Sequence, residues 1–202
     1  MSTPAGYFED MYAAAPDPWH LASRWYERRK HALTVGVLTR DRYRSAFEPG
    51  CSVGALTALL APRCDRLLAT DRVPAALEVA HRRLGDMPGL RLEQMAVPDQ
   101  FPPGGFDLVV LSEIGYYLDE PGLDRLVTAT TESLVPGGEL VAVHWRHPVE
   151  DHALTGDRVH GRLAAAGGLR RVSRHEEVDF LLEVFARVPP EPRTVAEREG
   201  LC

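Results

Sequence analysis

The 202-residue sequence is 45% hydrophobic and 26% charged, enough apolar side chain for a full core in one domain of ordinary size. Its 23 basic and 29 acidic side chains give a formal charge of −6, and with no field of Lys and Arg to drive counterion release the composition disfavours DNA or RNA as the main partner. Cys51, Cys64 and Cys202 form neither a metal-ligand spacing nor a disulfide framework, no apolar run approaches a membrane span, and the N-terminus lacks the basic stretch and apolar core of a signal peptide, so a cytoplasmic chain without a metal is expected.

In chain order the organisation reads as a helical leader over 1–40, a core over 41–188 and a tail over 189–202. Residues 1–18 place Tyr7, Phe8, Met11 and Tyr12 at spacings that fit one short helical turn packing as a lid. In WHLASRWYERRKHALTVGVL, Trp19, Ala22, Trp25, Tyr26, Arg29 and Leu33 lie close to a helical stripe, which predicts one or two helices over 19–38 covering a sheet edge. Tyr43 to Glu48 then predicts a buried strand; Pro49, Gly50 and Ser52 make a tight turn, and Gly54 opens the apolar-faced helix ALTALLA. A strand, a small-residue loop and a helix leave backbone N–H groups facing a ligand with no bulky side chain in the way. The next apolar run, RLLAT, ends in Asp71. In a βαβ unit that carboxylate projects over the glycine loop, where it can accept from both hydroxyls of a ribose, so the implied ligand is a nucleoside-containing cofactor.

A helix follows at 74–84, with Ala76, Leu77, Ala80 and Leu84 inward and Pro74 in its first turn, and then a strand at 90–94. FDLVVLSE is a central parallel strand because its apolar residues run continuously instead of alternating. Ser112 and Glu113 stand at its carboxyl end, at the mouth of the expected crevice, followed by Ile114, Gly115, Tyr116 and Tyr117 and a helix from Pro121 to Leu134. ELVAVHWRHP predicts the next strand, and His144, Trp145, Arg146 and His147 gather polar and stacking groups at its end. Either histidine can remove a proton near neutral pH without a large pKa shift. A helix over 155–166, with Val159, Leu163 and Ala164 inward, precedes a strand, an acidic turn and a longer strand, and the Pro- and Glu-rich tail from Pro189 is expected to fray.

The ordered set of Glu48, Gly50, Ser52, Gly54 and Asp71 resembles motif I and the following acidic position of class I S-adenosylmethionine-dependent methyltransferases, with Ser52 where the pattern acidic–x–Gly–x–Gly–x–Gly has its middle glycine. The runs PWHLASRWYERRK, AFEPGCSVG, FDLVVLSEIGYYL, VPGGELVAVHWRHP, TGDRVH and EVDFLLEVF are similar to the nodulation-protein S-like methyltransferases from about Tyr7 to Val188. That resemblance implies a Rossmann-like α/β fold: a seven-stranded, mostly parallel sheet with an antiparallel C-terminal hairpin and an N-terminal helical lid. It further implies S-adenosyl-L-methionine as cofactor and an amino group of a small polar molecule, such as an amino sugar or secondary metabolite, as acceptor. Glu48, Gly50, Cys51, Ser52, Gly54, Asp71, Arg72 and Ser112 take donor contacts in this reading. Many relatives carry a carboxylate for the adenine beyond the third strand; here the matching positions are Met95 and Ala96, with Val97 next, so adenine is expected to be held by apolar contact with Met95 or Val97, by backbone groups, or by Gln94 or Asp99 from nearby. Glu113 and His144 are the catalytic candidates, orienting an amine and taking up its proton. Tyr12, Trp25, Tyr26, Arg29, Tyr116, Trp145, Arg146 and His147 are the candidates for the acceptor side. The expected partner is a small molecule, with a homodimer left open and neither nucleic acid nor membrane.

Other readings share parts of this pattern. An NAD-linked oxidoreductase would need a second nucleotide-binding half or a substrate domain, for which the chain leaves no room. A metal-dependent O-methyltransferase would need clustered carboxylates, while a metal-free O-methyltransferase would lean on His144 as base. The non-enzymatic alternative is a nucleoside-binding module that has lost turnover, for which Ser52 and Ala96 are the best support.

Overall fold

Strand residues alternate between faces and helix residues repeat every 3.6, and the computed structural model, which describes residues 1–202, follows those two periods. Its strands are β1 (Ala46–Pro49), β2 (Leu67–Asp71), β3 (Leu90–Gln94), β4 (Phe106–Ser112), β5 (Leu134–Trp145), β6 (Leu169–Glu176) and β7 (Phe180–Arg187). Its helices are α1 (Ala5–Ala14), α2 (Trp25–Gly36), α3 (Thr57–Leu60), α4 (Pro74–Leu84), α5 (Glu120–Ser133), α6 (Gly156–Ala164) and α7 (Val195–Arg198), with 3-10 turns at Ala61–Arg63 and Gly115–Tyr117. The seven strands form one sheet in the order β3-β2-β1-β4-β5-β7-β6, parallel except for β7, which runs antiparallel to both neighbours. This is the Rossmann-like α/β sheet of the class I methyltransferases. The chain moves outward from β1 to β3 and then returns to β4 on the other side of β1, so the crevice of an open sheet falls above the carboxyl ends of β1 and β4.

Alternation along β5 divides the core. Val141 and Val143 face α3 and the inner side of α2, meeting Leu60, Leu182 and Val184. Leu140 and Ala142 face α5 and α6, meeting Leu123, Leu126, Val127, Val159 and Leu163. Each fully buried Leu or Val contributes about 1.5–3 kcal/mol against exposure, so the parity of this strand is strongly fixed. The same parity sends His144 toward α6, and that decides its role below.

Several elements differ from the expected bounds. Tyr43 makes only an isolated bridge to Cys64, and β1 begins at Ala46. The amides of Arg44 and Ser45 donate to the buried Asp107 carboxylate at 3.0 and 2.9 Å instead of entering a ladder. The helix after the glycine loop is one turn that tightens to 3-10 at Pro62. Residues 19–23 form turns in which Asp17 accepts from the amides of Leu21 and Ala22, leaving α2 as the one helix of 19–38; it covers a sheet face beside α3, not an edge. The lid segment is longer than a single turn, since α1 spans ten residues. On α6 it is His160 that points inward, while Ala164 is exposed. The tail does not fray throughout: Thr194 and Glu197 form a capping box on α7, and Arg198 donates to the Thr39 carbonyl at 2.8 Å.

Candidate active site

Above the switch point lies a cavity of about 460 Å³, reached by the carboxyl ends of β1 to β5. Gly50, Cys51 and Ser52 after β1, Asp71 and Arg72 at β2, Met95, Ala96 and Val97 after β3, and Ser112 and Glu113 at β4 all line it, with Trp145 from the end of β5. Tyr12 and Tyr26 of the leader and Tyr116 close the remaining sides.

The loop after β1 is built for close backbone approach. Gly50 has φ +72, and a Cβ there would collide with the Ile114 side chain. Ser52 also occupies the left-handed region, at φ +52, where a side chain is strained. Its hydroxyl is hydrogen-bonded to the buried Tyr12 hydroxyl of α1, a contact that offsets the strain and ties the leader to the loop. Asp71 fixes the same loop from β2, accepting the Ser52 and Val73 amides at 2.9 Å each. Burial raises its carboxyl while those amides pull it down, with burial the larger effect. Gly54, expected beside the ligand, packs away from it: a Cβ there would meet Leu84 of α4 at 2.8 Å.

Glu48 is 2% exposed, and its Oε2 has no hydrogen-bond partner. Burial, against a partial pull from the neighbouring Thr57 hydroxyl and with a smaller push from Asp71, raises its carboxyl to about 8. A buried acceptor left without a donor costs about 1–3 kcal/mol or more, so this wall of the cavity favours a ligand that brings a donor or a positive charge.

Glu113, at φ +59, is the most heavily bonded carboxylate of the site. Its Oε1 accepts from Lys30 Nζ at 2.6 Å, and its Oε2 accepts from the Tyr116 hydroxyl and from the Trp145 amide at 2.9 Å. Burial opposes ionisation, but Lys30 and the other donors hold the carboxyl down at about 2. A carboxylate so saturated is a fixed anion, not a proton acceptor. Lys30 is 2% exposed; burial would depress its ammonium, and the carboxylates of Glu113 and Glu27 overcome that and raise it.

His144 corrects the expectation placed on it. It is wholly buried and does not line the cavity. Its Nε2 accepts the Gly115 amide at 3.1 Å, so its Nδ1 carries the proton and donates to His160 Nε2 at 3.1 Å. His160 Nδ1–H in turn donates to Glu183 Oε2 at 2.7 Å, and Arg171 donates to the other Glu183 oxygen at 2.9 Å. Burial and the neighbouring His160 hold His144 down at about 3, which leaves it neutral with its lone pair already engaged. It braces the 113–117 loop from behind, and Gly115 has to be glycine because a Cβ would lie 2.6 Å from Val159 and 3.0 Å from His144.

Four acceptor-side candidates also face elsewhere. Trp25 is 69% exposed at the start of α2, with the Arg28 guanidinium 5.9 Å from its ring centroid. Arg29 is engaged bidentately by Glu177 at 2.9 and 2.7 Å. Arg146 pairs with Asp157 and Glu176, and His147 with Asp179 at 2.7 Å. In their place the cavity is lined by Glu27, Lys30 and His31 of α2 and by His152, whose ring stacks on Tyr116 at 3.8 Å. Burial lowers His31 to about 4. A polar i, i+3, i+4 set on one helix face was the available sequence signal for the first three; His152, in a loop, carried none.

The model of the family described as nodulation protein S (NodS) matches residues 9–142. Nodulation protein S of Rhizobium tropici is 35% identical over 130 residues, which cover 63% of this chain and 55% of that protein. The crystal structure of the N-methyltransferase NodS from Bradyrhizobium japonicum WM9 in complex with S-adenosyl-L-homocysteine superposes with a TM-score of 0.81 at 28% identity, over 92% of this chain and 98% of the other. A Pseudomonas syringae crystal structure, provisionally described as a methyltransferase, is 46% identical with a TM-score of 0.72, over 81% of this chain and all of that one. The chain thus spans little more than half the length of the Rhizobium protein.

Proposed function

The chain belongs to the nodulation protein S family, and on that premise we propose that it is an S-adenosylmethionine-dependent N-methyltransferase acting on an amino group of a small polar molecule. The observation that carries the reading is the switch-point cavity in which Asp71 braces the Gly50–Ser52 loop while the buried Glu48 oxygen lacks a donor. These groups fit the donor. Asp71 would accept the ribose hydroxyls, the loop amides would approach the methionyl part, Glu48 would face its ammonium, and Met95, Ala96 and Val97 would enclose the adenine without a carboxylate.

S-adenosylmethionine supplies an electrophilic methyl group on a positively charged sulfur. The chain's own share is position and charge. Glu113, a fixed anion beside Lys30 at the mouth of β4, sets the potential in which a cationic acceptor nitrogen is held, and orienting two reactants in line contributes several kcal/mol to such a transfer. Tyr116, Trp145 and His152 line the acceptor side with aromatic surface. The leader roofs the cavity: Tyr12 bonds Ser52, and Phe8 packs edge-on against Tyr117 at 4.8 Å, which keeps water from the reacting groups. No helix is long and apolar enough to cross a membrane.

Glu48 provides a test of donor binding. With its carboxyl at about 8 it is mostly protonated at pH 7; a donor ammonium favours the carboxylate, so binding releases up to about one proton per site. Calorimetry of S-adenosylhomocysteine at pH 7 in phosphate and in Tris is expected to give enthalpies that differ by that proton's uptake into the buffer. Equal enthalpies would remove Glu48 from the ammonium contact. The activity itself is tested by transfer from labelled S-adenosylmethionine to matched amines and alcohols, read by product mass: methylated amines are expected, and turnover confined to hydroxyls would overturn the reading.

A further inference from the structure

We propose that Glu27, on the second helix of the leader, is the carboxylate that receives the acceptor's ammonium and takes its proton. The proposal deepens the N-methyltransferase reading and rests on it. Lys30 Nζ stands between two carboxylates, 2.6 Å from Glu113 Oε1 and 2.9 Å from Glu27 Oε2. Glu113 is completed by Tyr116 and the Trp145 amide. Glu27 is not: it is 9% exposed, and its Oε2 has no well-directed hydrogen bond even with Lys30 beside it.

Among the buried groups at this end of the cavity the charges do not balance. Two carboxylates share one ammonium, and the nearest further group, His31 Nε2 at 3.9 Å from Glu27 Oε2, does not supply the missing charge because burial holds it at about 4. The other groups facing Glu27 are Arg24, whose positive charge acts from an exposed position, and the uncharged Tyr26 and Tyr116. An ammonium on the acceptor would add a well-directed donor to the Glu27 carboxylate and give the buried pair its missing charge.

The two carboxyls are also pushed apart. Burial raises Glu27 against the pull of Lys30, whereas Glu113 stays near 2. Paired groups driven in opposite directions divide the labour of fixed anion and proton carrier. The step is a simple exchange: a proton leaves the ammonium nitrogen for the Glu27 carboxylate, the N–H electron pair stays on nitrogen as its lone pair, and a neutral carboxylic acid faces a neutral amine. Nothing is oxidised, and no further reactant is needed.

The test uses the full chain saturated with S-adenosylhomocysteine and methylammonium chloride as the probe, with sodium chloride at equal ionic strength as control. Carbon-13 NMR of the Glu27 carboxyl is expected to show a saturable shift with methylammonium and a titration midpoint that moves down as the probe binds. Glu27→Gln, which keeps shape but cannot carry the proton, is expected to lose the saturable binding, to retain S-adenosylhomocysteine affinity within about threefold, and to transfer methyl to amines about 10²–10⁴-fold more slowly. A Glu27 signal indifferent to methylammonium would overturn the assignment on the wild-type chain alone, as would a folded variant that binds the probe unchanged. Failure of the wild-type chain to bind S-adenosylhomocysteine would instead strike the methyltransferase reading.

Discussion

Replacing Glu113 by alanine is expected to cost about 3–5 kcal/mol of stability, or roughly 6–20 °C in Tm for a chain of this size. The reason is what the side chain leaves behind. Lys30, 2% exposed, would keep only Glu27 as counter-charge, and the Tyr116 hydroxyl and Trp145 amide would lose their acceptor. Breaking a buried pair from one side costs far more than the pair contributes, because the remaining charge stays desolvated. Alanine does not relieve the backbone at φ +59, but glycine does, so Glu113→Gly is expected to retain about 1 kcal/mol more than Glu113→Ala. The pH dependence has a defined sign. Burial opposes ionisation of Glu113, yet Lys30 holds its carboxyl at about 2 against an ordinary 4.5; its contribution is therefore complete above about pH 4.5 and is lost as pH falls toward 2. His31 and His144, lowered by burial to about 4 and about 3, also favour unfolding as pH falls below 6.5, but they do so in both proteins. The wild-type and Glu113→Ala stability curves from urea denaturation should thus converge between pH 4.5 and 2; a variant within about 1 kcal/mol of wild type at pH 7 would show that the Lys30 pair is not what holds this loop.

What the sequence disclosed follows from how local each signal was. The glycine loop and Asp71 belong to one βαβ unit, so spacing alone brings them together, and the switch-point cavity follows from strand order. The polar cluster after β5 was misread because its parity depends on where the strand stops. With β5 reaching Trp145, alternation puts Trp145 on the cavity side and His144 with Leu140 and Ala142 toward α6. Arg146 and His147 then find carboxylates on Asp157, 11 positions on, and on Glu176 and Asp179 of the terminal hairpin. The leader shows the opposite failure. An apolar stripe through Trp25, Tyr26, Arg29 and Leu33 set the expected phase of α2, whereas the buried face is Glu27, Lys30, His31 and Thr34, an i, i+3, i+4, i+7 stripe that is polar throughout. Hydrophobic periodicity cannot find a face whose burial is balanced by ion pairs with Glu113, some eighty positions away.

Changing Asp71 to alanine is expected to weaken S-adenosylhomocysteine about ten- to a hundredfold or more, the loss of one or two charge-assisted hydrogen bonds at about 1.5–3 kcal/mol each. Two effects combine. The carboxylate would no longer be offered to the ribose, and the Ser52 and Val73 amides, each held at 2.9 Å, would lose the acceptor that shapes the loop. Ser52 sits at φ +52, and with Asp71 gone its amide would lose its acceptor, leaving the Tyr12 hydroxyl and the backbone bonds of Cys51 to Thr70 and of Gly54 to Cys51, at 2.9 Å each, to hold the loop. Asparagine separates the two contributions, since its carbonyl retains one acceptor and its amide cannot replace the other. The expected order of affinity is wild type, then Asp71→Asn, then Asp71→Ala. Titration calorimetry on folded variants reads it directly, and an Asp71→Ala chain that binds as tightly as wild type would place the ribose somewhere other than beside β2.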